Sequence, residues 1–243
     1  MPERTADAVT ALEQSNWQRL EEGLDIRKAI TQDGLVVTAY RVSPANFTFD
    51  MAVQDRNNGS RAKDIGEKEG AVLAVNGGFF AETESGRLYS IGYYRLGGEV
   101  LSKGWRNSGG VVVFAEDGPE LVPSHNGIPI NDFNVLQTKP MIIEPGGKWA
   151  MGSNLGQFKH RTMLCRLANG DIVFVLVTRS GMSLYEAGWM LRSSQDGGFF
   201  NCDAAVALDG GRSTQVWYSG QPAYSYSGLT PVHNFIVVRQ REN

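Results

Sequence analysis

Residues 205–214 read as an apolar stretch running into the carboxylate of Asp209, then Gly210 and Gly211, then the hydroxyls of Ser213 and Thr214. An earlier segment, residues 71–80, has the same layout: apolar residues, then Asn76, Gly77 and Gly78, with Phe79 and Phe80 behind them. A polar side chain beside backbone free of Cβ atoms lets a ligand approach the main-chain amides, which is how anion and sugar sites are built. Asn-Gly and Asp-Gly are also strong hairpin-turn signals, and either motif alone is explained as a turn. Together, each behind an apolar run of the kind a strand buried on both faces shows, they point to a site. A third Gly-Gly-Phe-Phe at 197–200 leaves room for a weak internal duplication.

Two further groups could act with Asp209. In a hairpin over residues 160–178, turning at Asn169-Gly170, Arg161 shares a face with Met163, Cys165 and Leu167, while Thr162, Leu164 and Arg166 share the other. A guanidinium heading an apolar face needs an anion. Two readings stay open: a structural ion pair with Asp209 or Glu186, or a clamp for a bound phosphate or carboxylate. Glu186 sits three residues after Ser183 and before apolar Ala187, Met190 and Leu191, a capping box opening an amphipathic helix that should stop near Gly197. Capping alone accounts for a glutamate there.

The elements that must position these groups read as an α+β protein with a mixed or antiparallel sheet and a few flanking helices. A helix is expected over residues 8–22, in an N-terminal helical extension of about residues 1–30. Strands are expected at 35–41, 47–53, 71–75, 111–115, 215–218 and 234–239, and a short helix capped by Ser60 is expected to form a crossover into residues 71–75. The loop at 123–134 is the one plausible boundary, but composition does not change across it, so residues 1–243 are read as a single domain.

Composition narrows the function classes. The net charge of −3 gives no basic footprint for nucleic acid or an anionic membrane surface. No apolar run approaches the ~20 residues of a membrane span, and the N-terminus has no signal-peptide core. Nucleophile-elbow, P-loop, Rossmann and zinc-helix motifs are missing, and His125, His160 and His233 are scattered, so acid–base work falls to carboxylates. No metal site or cofactor is expected, although a structural calcium is compatible with the composition. Cys165 and Cys202 read as two buried free thiols.

Taken in order, residues 76–80, Arg161-Thr162, Leu184-Tyr185-Glu186, residues 208–214 and the last strand from Val232 resemble the phosphodiester glycosidase family over roughly residues 65–239. Many relatives carry Asp-Gly-Gly-Gly-Ser; here Arg212 replaces the third glycine, either obstructing backbone approach or adding a second cation. The resemblance, to the bacterial branch of that family, implies a hydrolase cleaving the glycosidic bond to phosphate in a small or polymeric sugar-1-phosphodiester or related anionic glycan, and an extracytoplasmic location, periplasmic or secreted. On that basis Asp209 and Glu186 are the catalytic pair. Arg161 with the Gly210 and Gly211 amides holds phosphate, and Asn76, Thr162, Ser213, Thr214 and Phe80 line the substrate. The alternatives are a non-catalytic carbohydrate-binding protein of the cell envelope and a metal-dependent phosphodiesterase.

Overall fold

The computed structural model describes residues 1–54, 58–128 and 133–242. The chain opens with α1 (Glu3–Glu13), which buries Thr5, Ala8, Val9 and Leu12 at helical spacing. It continues through β1 (Gln18–Glu21), β2 (Leu24–Ile30), β3 (Val36–Val42), β4 (Phe47–Val53), α2 (Ala62–Lys68) and β5 (Leu73–Asn76). Short strands follow: β6 (Phe80–Glu82), β7 (Leu88–Ser90), β8 (Tyr94–Leu96), β9 (Glu99–Ser102), β10 (Gly110–Ala115), β11 (Gly118–Pro123), β12 (Asn134–Thr138), β13 (Met141–Glu144) and β14 (Lys148–Trp149). The last part holds β15 (Lys159–Leu167), β16 (Ile172–Met182), α3 (Leu184–Leu191), β17 (Cys202–Ala207), β18 (Val216–Tyr218) and β19 (Asn234–Gln240).

The architecture is α+β and sheet-rich. An eight-stranded sheet runs β1-β2-β3-β16-β15-β17-β13-β14, beside a five-stranded sheet β11-β10-β12-β8-β9 and a four-stranded sheet β18-β5-β19-β4. Alternation on β15 divides the core. Leu164 joins Leu176, Phe174 and strands of the smaller sheets on one face, while Met163 and Cys165 pack with Leu12 of α1 and Met190 of α3 on the other.

The hairpin over β15 and β16 forms around Asn169-Gly170, with Gly170 at φ 92°. The crossover also forms: β4 and β5 both lie antiparallel to β19 on its two sides, so they run parallel with α2 between them in sequence.

Four expectations need correction. The N-terminal helix ends at Glu13, and Gly23 at φ 77° turns β1 back against β2, whose Leu24 and Ile26 bury with period two. The segment after Glu13 is therefore sheet. Ser60 does not cap α2: its backbone pairs with Val232, and Arg61 is the N-cap. The helix opened by Ser183 stops at Leu191: Arg192 is extended, the returning Phe199 and Phe200 N–H groups take the Met190 carbonyl, and Gly198 packs closely on the Arg192 carbonyl. Finally, Cys165 and Cys202 form a disulfide, since β15 and β17 are adjacent strands that bring their Cα atoms to 5.6 Å. Of the loop at 123–134, residues 129–132 lie outside the described residues. Among the described residues no helix is long and apolar enough to cross a membrane.

Candidate active site

Because β15 is antiparallel to both β16 and β17, its first residues lie at the same sheet edge as the last residues of its neighbours. That edge gathers Lys159, His160 and Arg161, the start of α3 with Glu186, and the turn from Asp209 to Thr214. Leu208 N donates to Thr162 O at 2.9 Å, continuing the β15–β17 pairing, and Asp209 N donates to Gly77 O at 3.0 Å, which stitches the end of β5 to this edge.

Asn76 organises the inner layer. Its Nδ2 donates to Asp209 O at 2.7 Å, and its Oδ1 accepts from Thr162 Oγ1 at 2.9 Å and from Gln215 N at 3.0 Å. The Thr162 and Thr214 hydroxyls lie 3.2 Å apart. Asn76 and Thr162 are 1% exposed and Thr214 is 0% exposed, so these three face one another and hold the Asp209 turn in place. The glycines beside Asn76 serve close packing: a Cβ on Gly77 would fall 2.3 Å from Asn234 Oδ1, and one on Gly78 would fall 2.6 Å from Leu136 Cδ1.

Asp209 stands half-buried at the mouth. Burial pushes its carboxyl above the usual carboxylate range, opposed by hydrogen bonds from the Ser213 hydroxyl and the Gly210 amide and by the charge of Lys159. Gly210 N donates to Asp209 Oδ1 at 2.9 Å, so that amide is engaged with the carboxylate. Gly210 also lies against the β15 backbone, where a Cβ would meet His160 O at 2.9 Å. Gly211 needs its left-handed φ of 61°, and its open side faces the Lys159 stem. Arg212 is exposed and adopts no positive φ, so a side chain replaces the third glycine of many relatives without backbone strain.

Arg161 and Glu186 approach the same peptide from two sides. Arg161 Nε donates to Met182 O at 2.9 Å, while Ser183 N donates to Glu186 Oε2 at 3.0 Å. The carbonyl and N–H of a trans peptide point in opposite directions, so guanidinium and carboxylate are held apart. Arg161 also donates to Gln157 O. Among the described residues it has no carboxylate within 4.0 Å, so the ion pair with Asp209 or Glu186 is corrected: two carbonyls hold the group instead. Burial lowers its pKa from the ordinary arginine value. The capping box of Ser183 and Glu186 forms in full, using Glu186 Oε2 and leaving Oε1 outside it. Phe80 lies beyond the end of β5, its ring 6.5 Å from that of His233.

Three groups at this edge escaped sequence reasoning: Lys159, His160 and Tyr226. Parity on β15, which puts His160 on the face of Thr162, was the available signal. His160 Nε2 lies 3.0 Å from Arg179 O, which only accepts, so Nε2 carries the proton in the neutral ring; Nδ1 then accepts from Tyr226 OH at 3.2 Å. Burial raises the Tyr226 pKa, which keeps that hydroxyl protonated.

Solved structures share this fold, among them the following three. A hypothetical protein from Synechocystis matches with a TM-score of 0.69 at 15% identity, over 93% of this chain and 64% of its own, so this chain spans under two thirds of that protein. The zebrafish N-acetylglucosamine-1-phosphodiester alpha-N-acetylglucosaminidase catalytic domain, auto-inhibited by its pro-peptide, matches at 0.63 and 14%, over 93% of this chain and 83% of its own. A candidate exported protein from Burkholderia pseudomallei K96243 matches at 0.64 and 11%, over 85% and 74%. No curated protein matches the sequence. The family model described as phosphodiester glycosidase matches residues 69–239, a span that holds Asn76, Arg161, Glu186 and Asp209, and the chain belongs to that family.

Proposed function

We propose that this protein hydrolyses the bond between an anomeric carbon and phosphate in a sugar-1-phosphodiester, the small-molecule form of an anionic glycan. The observation that carries the reading is Asp209, a half-buried carboxyl that burial pushes toward its protonated form, set beside Gly210 and Gly211 at the sheet edge of a chain of the phosphodiester glycosidase family. A carboxylate beside the anomeric carbon stabilises an oxocarbenium-like centre, as nucleophile or as base. Glu186, through Oε1, serves as its acidic partner. The phosphate is itself a competent leaving group, so the protein's main task there is to hold charge. Arg161 has five donors, of which the Gln157 and Met182 carbonyls engage two; with the Gly211 amide and Lys159 it supplies the anion clamp. Ser213 lines the mouth, Phe80 is an outer contact, and Asn76, Thr162 and Thr214 act by positioning Asp209. The disulfide and the family resemblance support an extracytoplasmic location.

The test is incubation with the methyl phosphodiester of N-acetylglucosamine-1-phosphate and related sugars in the presence of EDTA. Free sugar and methyl phosphate are expected, with turnover indifferent to the chelator: among the described residues no three His, Cys, Asp or Glu side chains come together as a metal site. Loss of turnover restored by zinc or manganese would move the chemistry to a metal-dependent phosphodiesterase. Binding without cleavage across the panel would make the protein a carbohydrate binder.

Arg161→Ala should weaken phosphate-bearing ligands roughly tenfold or more relative to the neutral sugar, the value of a charge-assisted hydrogen bond. Calorimetry on both ligands decides this. Equal losses, together with a lower Tm, would confine Arg161 to bracing Met182 and Gln157.

A further inference from the structure

We infer that the sheet edge carries a second anion-binding subsite, built on Lys28 and Arg179, which takes a further phosphate or carboxylate of the substrate on the far side of the scissile phosphodiester. The inference rests on the reading of Asp209 as the reacting end of the site and names the substrate class: a diester whose aglycone is itself anionic.

A cleft of about 240 Å³ opens between the face of β2, β3 and β16 and residues 223–226. Its charged lining consists of Lys28 and Arg179, with no carboxylate, and its neutral polar lining includes Thr38, Thr178, Ser225 and Tyr226. Both cations are exposed, and among the described residues neither has an acidic partner within 4.0 Å. Two unpaired cations around hydroxyls form an anion receptor in chemistry and in sign.

Placement ties the cleft to Asp209. Register aligns Lys28 with Thr38 and Val36 with Thr178, so the cleft residues occupy the same edge as the start of β15. Lys28, Thr38 and Thr178 also share the face of Thr162, which pairs with Leu176 in the cleft floor, and Arg179 lines the cleft from just beyond the last regular pair of β16. β16, which carries Arg179, is two strands from β17, a lateral step of about 10 Å at the usual strand spacing and within reach of the next unit of a substrate. Lys28 on β2 lies two strands further out, about 19 Å from β17, and closes the far end of the cleft.

Arg179 adopts φ 68° in the bulge where β16 shifts register against β15, with Gly181 at φ 70° in the same bulge. His160 Nε2 donates to the Arg179 carbonyl, and His160 Nδ1 accepts from Tyr226 of the opposite wall. His160 thus links the floor and wall of the cleft to the segment that underlies Gly210.

The test uses two probes on the wild type and on the double variant Lys28→Gln, Arg179→Asn; asparagine tolerates the left-handed backbone. Three diesters of N-acetylglucosamine-1-phosphate are compared, with methyl, glycerol 3-phosphate and glycerate as the second ester group. Wild type should favour both anionic tails over methyl by roughly tenfold or more in kcat/KM, and the double variant should lose that preference while cleaving the methyl diester unchanged. Loss confined to one tail identifies phosphate or carboxylate as the group taken. An equal fall on all three diesters, or a preference that survives substitution, overturns the inference. Glycerol 3-phosphate and glycerate are also titrated alone by calorimetry, which needs no turnover and so separates a failed subsite from a failed activity. Binding by wild type that the variant loses sustains the subsite; binding by neither protein, or equally by both, removes it. Lys28→Gln alone, at an exposed strand position, repeats the measurement should the double variant not fold.

Discussion

Asp209→Asn should abolish turnover while leaving the protein at least as heat-stable at neutral pH. The amide keeps the oxygen that accepts from Gly210 N and Ser213, and it suits the turn as well as the acid does. It removes the proposed nucleophile or base, for which a loss of at least about 10²–10⁴-fold is expected. The stability sign follows from linkage. Burial raises the folded-state pKa above the unfolded value, so the native protein binds the proton more tightly, and stability is lost as pH rises from the unfolded pKa through the folded one. At neutral pH the ionised carboxylate is therefore a liability that asparagine does not carry; below the unfolded pKa the two proteins converge. Melting curves at pH 3 and pH 7 alongside hydrolysis rates check both halves. Retained activity would remove Asp209 from the mechanism, and a marked fall in Tm at pH 7 would refute the burial argument.

Glu186→Gln separates two duties of one side chain. Glutamine still presents an oxygen to Ser183 N, so the capping box survives and the stability change should stay well under ~1 kcal/mol. The exchangeable proton is gone, and with it about 10²–10⁴ in rate if Glu186 is the general acid or base. The loss should be smaller for substrates whose phosphate leaves more readily, since a better leaving group needs less protonation. Near wild-type kcat on every substrate would return Glu186 to capping and leave Asp209 acting without it.

What the sequence showed of this arrangement was mostly local. Asn169-Gly170 between two alternating segments specifies the β15–β16 hairpin, and the apolar runs before Asn76 and Asp209 specify strands buried on both faces. Partnerships between distant segments were harder to see. The disulfide depends on β17 lying beside β15, which nothing near either cysteine encodes. The parity of Arg161 was readable, but its partners are carbonyls of Gln157 and Met182, and carbonyls leave no mark on a sequence. That Asn76 is buried with its hydrogen bonds met internally was not legible, because such an asparagine looks the same in one dimension as an exposed one. β2 was missed because Asp25 and Arg27 on one face, and Lys28 in line with Leu24 and Ile26 on the other, break the apolar alternation.

The inward engagement of Asn76 separates what selection can see at the two motifs. Asn76 is answerable to the integrity of the turn, whereas Asp209, in the mechanism proposed above, is answerable to the reaction, so the two are free to be lost at different times. A descendant released from catalysis would retain Asn76, Thr162 and Thr214 as the scaffold of the turn and vary at Asp209. Across relatives, the pairing of an intact Asn-Gly-Gly with an altered acidic position would mark members that have kept the architecture for another use.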